Sequence, residues 1–376
     1  MDIPTYVSQH YFPLLTLLQT LCKILAPTGT EQARAVFCKA WLEEHGAKDV
    51  VIDSAKNVVF PINCEGSNNI TVFAAHTDTV FPDLAPLPYS EDEEKIYCPG
   101  VGDNTAHMAV LLLVAKYFIQ HQLSPKDGVL FVFNAGEEGL GNLIGTRTLF
   151  SDYAGRIGRF VSLDAKLGVM NTRTVGSHRF EVTLNTRGGH SFMDFGEKNA
   201  IAELSKIVEK IYAIEVPKKG DSNTTYNVGT ITGGTSVNTI AQRATMTCEY
   251  RSDNIECLAM MEEKFAEIFF AAELENDITV QRIGERPCSV EDETGMDELK
   301  TLCQAITEEV TGEAVTFKSS STDCNIPRSL GIPAICIGAC RFEGAHTREE
   351  WLEKASLSQG LTVALKTALR LVGEEA

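Results

Sequence analysis

The stretch GVLFVFNAGEEGLG, residues 128–141, decides how this chain is read. Its first half, through Phe133, is a continuous apolar run of strand length, the pattern of a strand buried on both faces of a parallel sheet. Its second half sets two adjacent acids, Glu137 and Glu138, between glycines directly after that run. Like charges beside a core need a partner, because a desolvated carboxylate is tolerated only when it is paired or bound to a metal.

Working outward, helix and strand alternate on both sides of this run. YFPLLTLLQTLCKIL has helical periodicity, and Thr28 and Glu31 stand at capping-box spacing before a second helix. The strand NITVFAAH, a helix from about Asn104, the opening run, a helix near GTRTLF and the strand GRFVSLD follow. Strands separated by helices predict a mostly parallel sheet with helices on both faces, an α/β fold. From about residue 175 the pattern changes to half-buried strands such as HRFEVTLNT, where Phe180, Val182 and Leu184 alternate with polar residues. The order there is β-α-β-β-α-β, a ferredoxin-like α+β arrangement, before helix and strand resume near residue 289. The expectation is a first part of an α/β domain at 1–174, an inserted domain at 175–288, and the second part at 289–376.

Composition bounds the partners. With 33 basic and 51 acidic residues the net charge is −18, and no Lys/Arg-rich cluster occurs, so nucleic acid and anionic membrane are not expected partners. No apolar segment is long enough to span a bilayer, and the first residues lack the pattern of a signal peptide. Eleven cysteines at irregular spacing, with no CxxC pair, read as reduced thiols of a cytoplasmic protein.

Four polar clusters fall at the carboxyl ends of the expected α/β strands: His76 and Asp78 in AAHTDTV, Asp103 in PGVGDN, the Glu137–Glu138 pair, and Asp164 in SLDAK. His346, in GAHTREEW, follows the late strand AICIG. In open α/β sheets ligands bind in the crevice beyond those ends. Each residue has an ordinary reading by itself, as a cap, a turn residue or surface charge. Five such clusters, each after an apolar strand, point instead to a pair of divalent metal ions. Imidazole nitrogen and carboxylate oxygen suit zinc, and one carboxylate can bridge two ions. Cobalt and manganese accept the same ligand types.

In order along the chain, HTDTV, GVGDNTAHMAVLLL, GEEGLG, LDAK, RGGHS, GGTSVNTI and AHTREEW resemble the M20 family of metallopeptidases and deacylases, from about residue 20 onward. The resemblance implies a zinc-peptidase-like α/β domain with an inserted lid that mediates homodimerisation. It places His76 and Asp164 on one metal, Glu138 and His346 on the other, and Asp103 between them. Asp78 orients the His76 imidazole, Glu137 is the general base, and the peptide bond between Asp103 and Asn104 is cis. In the inserted part it implies that His190 stabilises an oxyanion and that Asn238 and Arg251 bind substrate, where a core or surface histidine and an Arg251–Glu249 pair are the competing readings. Asp323, in SSSTDCN, is a candidate contact for a substrate amine or a neighbouring arginine. Cys324 and Ser191 lack any motif that supplies a base and are not read as nucleophiles. His10, His45, His107, His121 and His178 receive no role.

The reaction so implied is hydrolysis of an amide bond in a small peptide, by a tripeptidase- or dipeptidase-like exopeptidase. Asp164, where deacylases of the family commonly carry Glu, tilts the reading that way. An N-acyl amino acid deacylase is the first alternative. A non-catalytic binding protein is the second, and loss of ligands or base would mark it.

Overall fold

A computed structural model describes residues 2–290 and 294–374. The chain divides into two compact units, Met1–Thr174 with Asp292–Ala376, and Val175–Glu291.

The first unit is built on an eight-stranded sheet. Its central strands, Val129–Asn134, Ile70–His76, Ile157–Lys166 and Ala334–Cys340, are neighbours in that order and mutually parallel. Val58–Ile62 pairs antiparallel beside Val129–Asn134, and Val169–Thr174 pairs antiparallel beside Ala334–Cys340. Along Ile70–His76 every residue is buried. Phe73 and Ala75 enter one core with the helices Ile3–Cys22, Ala106–Gln120 and Ser356–Val372, while Val72 and Ala74 enter another with Leu149, Phe150 and Ile326. Burial on both sides is why these strands read as unbroken apolar runs, and each fully buried Val, Leu or Phe side chain contributes about 1.5–3 kcal/mol.

The second unit has the element order Gly176–Asn185, Ala200–Tyr212, Thr224–Gly233, Arg243–Ser252, Ile255–Glu275 and Asp277–Arg286. Its four strands are antiparallel, and its core lies between one sheet face (Phe180, Val182, Met246, Cys248, Tyr250) and the two helices. The ferredoxin-like expectation matches this order. Asn199 and Asn254 cap the two helices through their side chains.

Three local expectations are corrected. The capping box does not form: Gln32–Glu44 has Glu31 at its cap position with no side-chain cap bond, because the Thr28 hydroxyl donates to Asp78 instead. The helix expected from about Asn104 begins at Ala106, after a π-helical turn over Val101–Thr105. Asp164 lies inside its strand, which runs on to Lys166, and not beyond its end. Among the described residues no helix is long and apolar enough to cross a membrane.

Candidate metal centre

The first unit gathers its chemistry where Ile70–His76, Val129–Asn134 and Ile157–Lys166 reach their carboxyl ends. His76 closes its strand with the ring fully buried. Its Nε2 stands 3.1 Å from Asp103 Oδ1 and 3.5 Å from Asp164 Oδ1. Its Nδ1 faces Asp78, 3.2 Å from the backbone carbonyl and 3.5 Å from Oδ1. A proton on Nδ1 is therefore held by Asp78, which leaves the Nε2 lone pair toward the two other carboxylates. The carbonyl of Asp78 is the nearer acceptor, a refinement of the carboxylate contact expected.

The Asp78 carboxylate has a second task. Its Oδ1 accepts from the Glu137 N–H at 3.1 Å, and its Oδ2 from the Glu138 N–H and the Thr28 hydroxyl, both at 2.9 Å. One buried side chain thus fixes the turn that carries both glutamates. Burial opposes its ionisation, but His76 and the two N–H groups outweigh burial and hold its carboxyl below the usual range.

Asp103 sits in the π-helical turn with non-helical backbone angles, and the Asp103–Asn104 peptide bond is cis. Its Oδ2 lies 3.1 Å from His346 Nε2, which is also 3.2 Å from Glu138 Oε1. His346 is held at φ +64°. Three donor groups result, His76–Asp103–Asp164, Asp103–Glu138–His346 and His76–Glu137–Glu138, each with ligand atoms within 4.8 Å of one another; Asp103 is in the first two.

The electrostatics report a site short of positive charge. Burial pushes the Asp164 carboxyl up to about 7, with Asp103 and Glu138 adding to the effect. Hydrogen bonds to Asp103 and Glu138 push His346 up to about 10. His76 is raised despite its burial by Asp164, Asp103 and Asp78. Nitrogen and oxygen donors in this number, around one shared carboxylate, fit two divalent cations.

Two residues here escaped the sequence reading. The Glu350 carboxylate, 1% exposed, accepts backbone N–H bonds from Gly100, Gly102 and Asp103. The signal was its place four residues after His346 in AHTREEW. His107, fully buried, has both ring nitrogens 2.9 Å from carbonyl oxygens, those of Gly102 and Ala165, which adjoin Asp103 and Asp164. Nothing in its apolar helical setting marked it.

Asp323 corrects an expectation. It is 0% exposed, and its carboxylate accepts from Asn134 Nδ2 at 2.5 Å and from the Thr146 hydroxyl. Held that way inside the unit, its oxygens are engaged by Asn134 and Thr146 and not by an arginine. Cys324 is buried, and burial pushes its thiol up to about 12, so it is protonated at neutral pH.

In the second unit His190 is exposed and pairs in register with Thr239, beside Asn238. The His190 Nδ1 accepts the backbone N–H of Phe192 at 3.2 Å and of Met193 at 3.4 Å. An Nδ1 that accepts places the ring proton of the neutral form on Nε2. Asn238 is exposed, and its side-chain oxygen accepts from the Ser236 hydroxyl at 2.9 Å. Arg251 donates to both Glu249 oxygens, from Nε at 2.7 Å and Nη2 at 3.0 Å, so the competing pair is formed.

Comparison with known proteins gives the family and the fold. Carboxypeptidase G2 of Pseudomonas sp. is 26% identical over 254 residues, spanning 62% of this chain and 59% of that protein, less than two thirds of its length. Succinyl-diaminopimelate desuccinylase of Corynebacterium glutamicum is 24% identical over 89% of this chain and 90% of its own. The crystal structure of a tripeptidase from Staphylococcus aureus has the same fold, with a TM-score of 0.76, 22% identity, and coverage of 97% of this chain and 99% of that one. Residues 72–370 match the peptidase family M20/M25/M40, and the chain belongs to that family.

Proposed function

We propose that this protein is a metal-dependent amide hydrolase that removes a terminal residue from small peptides, in the manner of a tripeptidase or dipeptidase. The observation that carries this reading is Asp103 standing between His76 and Asp164 on one side and Glu138 and His346 on the other. His76 and Asp164 would hold one divalent ion, Glu138 and His346 the second, and Asp103 both, with zinc the first candidate and cobalt and manganese also suited. When bound, such a pair lowers the pKa of water and polarises a carbonyl.

The chain's own residues do the rest. Glu137, set beside Glu138 by the Asp78 carboxylate, takes the proton of the attacking water. As the new C–O bond forms and the C–N bond breaks, the same carboxyl delivers that proton to the leaving nitrogen. His190, with its proton on Nε2, is the donor suited to the negative charge that develops on the carbonyl oxygen. Arg251, oriented by Glu249, offers the fork that fits a substrate carboxylate, and Asn238 lies next to His190 as a further donor. The inserted unit is also the proposed surface for a homodimer.

Hydrolysis of an N-acyl amino acid is the second reading. It is favoured by the near full-length similarity to a desuccinylase. Purified protein assayed on Ala and Gly tripeptides beside N-acetyl and N-succinyl amino acids separates the two. Cleavage of the acyl compounds alone overturns the peptidase assignment, and Glu137→Gln with full activity overturns the mechanism.

A further inference from the structure

Glu350 is an acid enclosed by donors. Its Oε1 accepts from Gly102 N at 2.8 Å and Asp103 N at 2.9 Å, and its Oε2 from Gly100 N at 2.5 Å. Its own carbonyl accepts from Cys98 N at 3.2 Å. Three backbone N–H groups thus converge on its two oxygens. An amide in its place would turn N–H hydrogens toward at least one of those donors. A polar group buried beside a centre already rich in acids is a costly choice for a residue that only fills space.

Its connections give the reason. One accepted bond comes from Asp103 itself, so the carboxylate anchors the backbone that carries the shared ligand. The turn around it has little slack: Gly100 is at φ +75°, and a Cβ on Gly102 would lie 2.2 Å from Phe342 Cγ. Glu350 also follows His346 by four residues, so its side chain ties the segment bearing one ligand to the turn bearing another. The tie joins the two segments that bring Asp103 Oδ2 within 3.1 Å of His346 Nε2.

We infer that Glu350 is a positioning residue of the metal centre: it sets the Asp103 turn against the His346 segment so that one carboxylate can serve two ions. This rests on the metal-dependent reading above. The test is titration of the metal-free chain with Co²⁺, followed by visible absorption, with thermal unfolding measured alongside. Glu350→Gln is expected to bind Co²⁺ about 10–100-fold more weakly than wild type and to show altered absorption bands. At saturating metal its kcat falls while KM holds. Wild-type affinity and spectrum in Glu350→Gln overturn the inference, and so does a lowered unfolding temperature with Co²⁺ binding unchanged, which is what a purely structural residue would give. Where Glu350→Gln does not fold, Glu350→Asp, which keeps the charge and shortens the reach, is measured in the same way, with weaker Co²⁺ binding expected and wild-type binding overturning. Wild-type protein that takes up no Co²⁺ overturns the metal reading itself, and is recognised before any variant is made.

Discussion

Two charged regions of this chain are built on opposite terms. At the strand ends of the first unit, Asp78, Asp103, Glu138 and Asp164 find their ion-pair partners in two histidines, His76 and His346. On the polar face of the inserted sheet, Glu249 is met by two guanidiniums, Arg179 at 3.2 Å and Arg251 at 2.7 Å. The first set is largely buried and its acids outnumber its bases; the second is partly solvated and its acid is matched. Surface pairs are worth roughly 0–1 kcal/mol, and with the Arg179 and Glu249 side chains 15% and 23% exposed this one belongs at the upper end. Buried acids of the first kind would be destabilising without a cation.

The largest effect expected from this contrast is removal of that cation. Dialysis against a chelator should abolish hydrolysis, and Zn²⁺, Co²⁺ or Mn²⁺ added back should restore it, read by peptide assay and metal analysis. Activity that survives complete metal removal would break the comparison at its root. Next comes Glu137→Gln. General acid–base groups contribute about 10²–10⁴-fold, so kcat should fall by that amount while metal content stays near wild type. A variant that loses metal as well would make Glu137 a ligand. Third is Asp78→Asn, which sets an amide N–H against a backbone N–H of Glu137 or Glu138 and weakens the hold on His76. Metal affinity should drop about 10–100-fold, measured by competition with a chromophoric chelator.

The two regions also differ in how far the sequence betrayed them. Strand runs buried on both faces, such as VLFVF, and the alternation in HRFEVTLNT announced the two sheets, since periodicity follows burial directly. His76 and Glu138 stood out as polar residues close after apolar runs, whereas the roles of Asp103, Asp164 and His346 came with the resemblance to the family; the structure brings the five side chains together. Thr28 misled because its hydroxyl serves a partner fifty positions away in preference to its own helix. The edge strand Thr316–Ser320 was missed because it is mostly exposed, so no core face patterned it. Glu350 and His107 hold backbone groups, not side chains, and a main-chain partner leaves no residue type to find. Asp323 looked like a reactive loop acid and is an interior one, because Asn134 and Thr146 approach it from elsewhere in the fold.

The smallest expected effect probes the matched region. Glu249→Gln should cost no more than about 1 kcal/mol in unfolding free energy, because its two partners are partly solvated. Arg251→Gln loses the same pair and should cost a similar amount in stability. If Arg251 also grips a substrate carboxylate, that variant alone should raise KM for peptides with a free C-terminus by about tenfold or more, the scale of a lost charge-assisted contact, with kcat less affected. C-terminal amides of the same peptides should show little difference between wild type and variant. Denaturant melts and a KM series on both substrate forms decide the matter. A stability change shared by both variants with no KM change confines Arg251 to its pairing with Glu249. A KM change in Arg251→Gln alone shows that even the region whose charges match at rest lends one of them to the ligand.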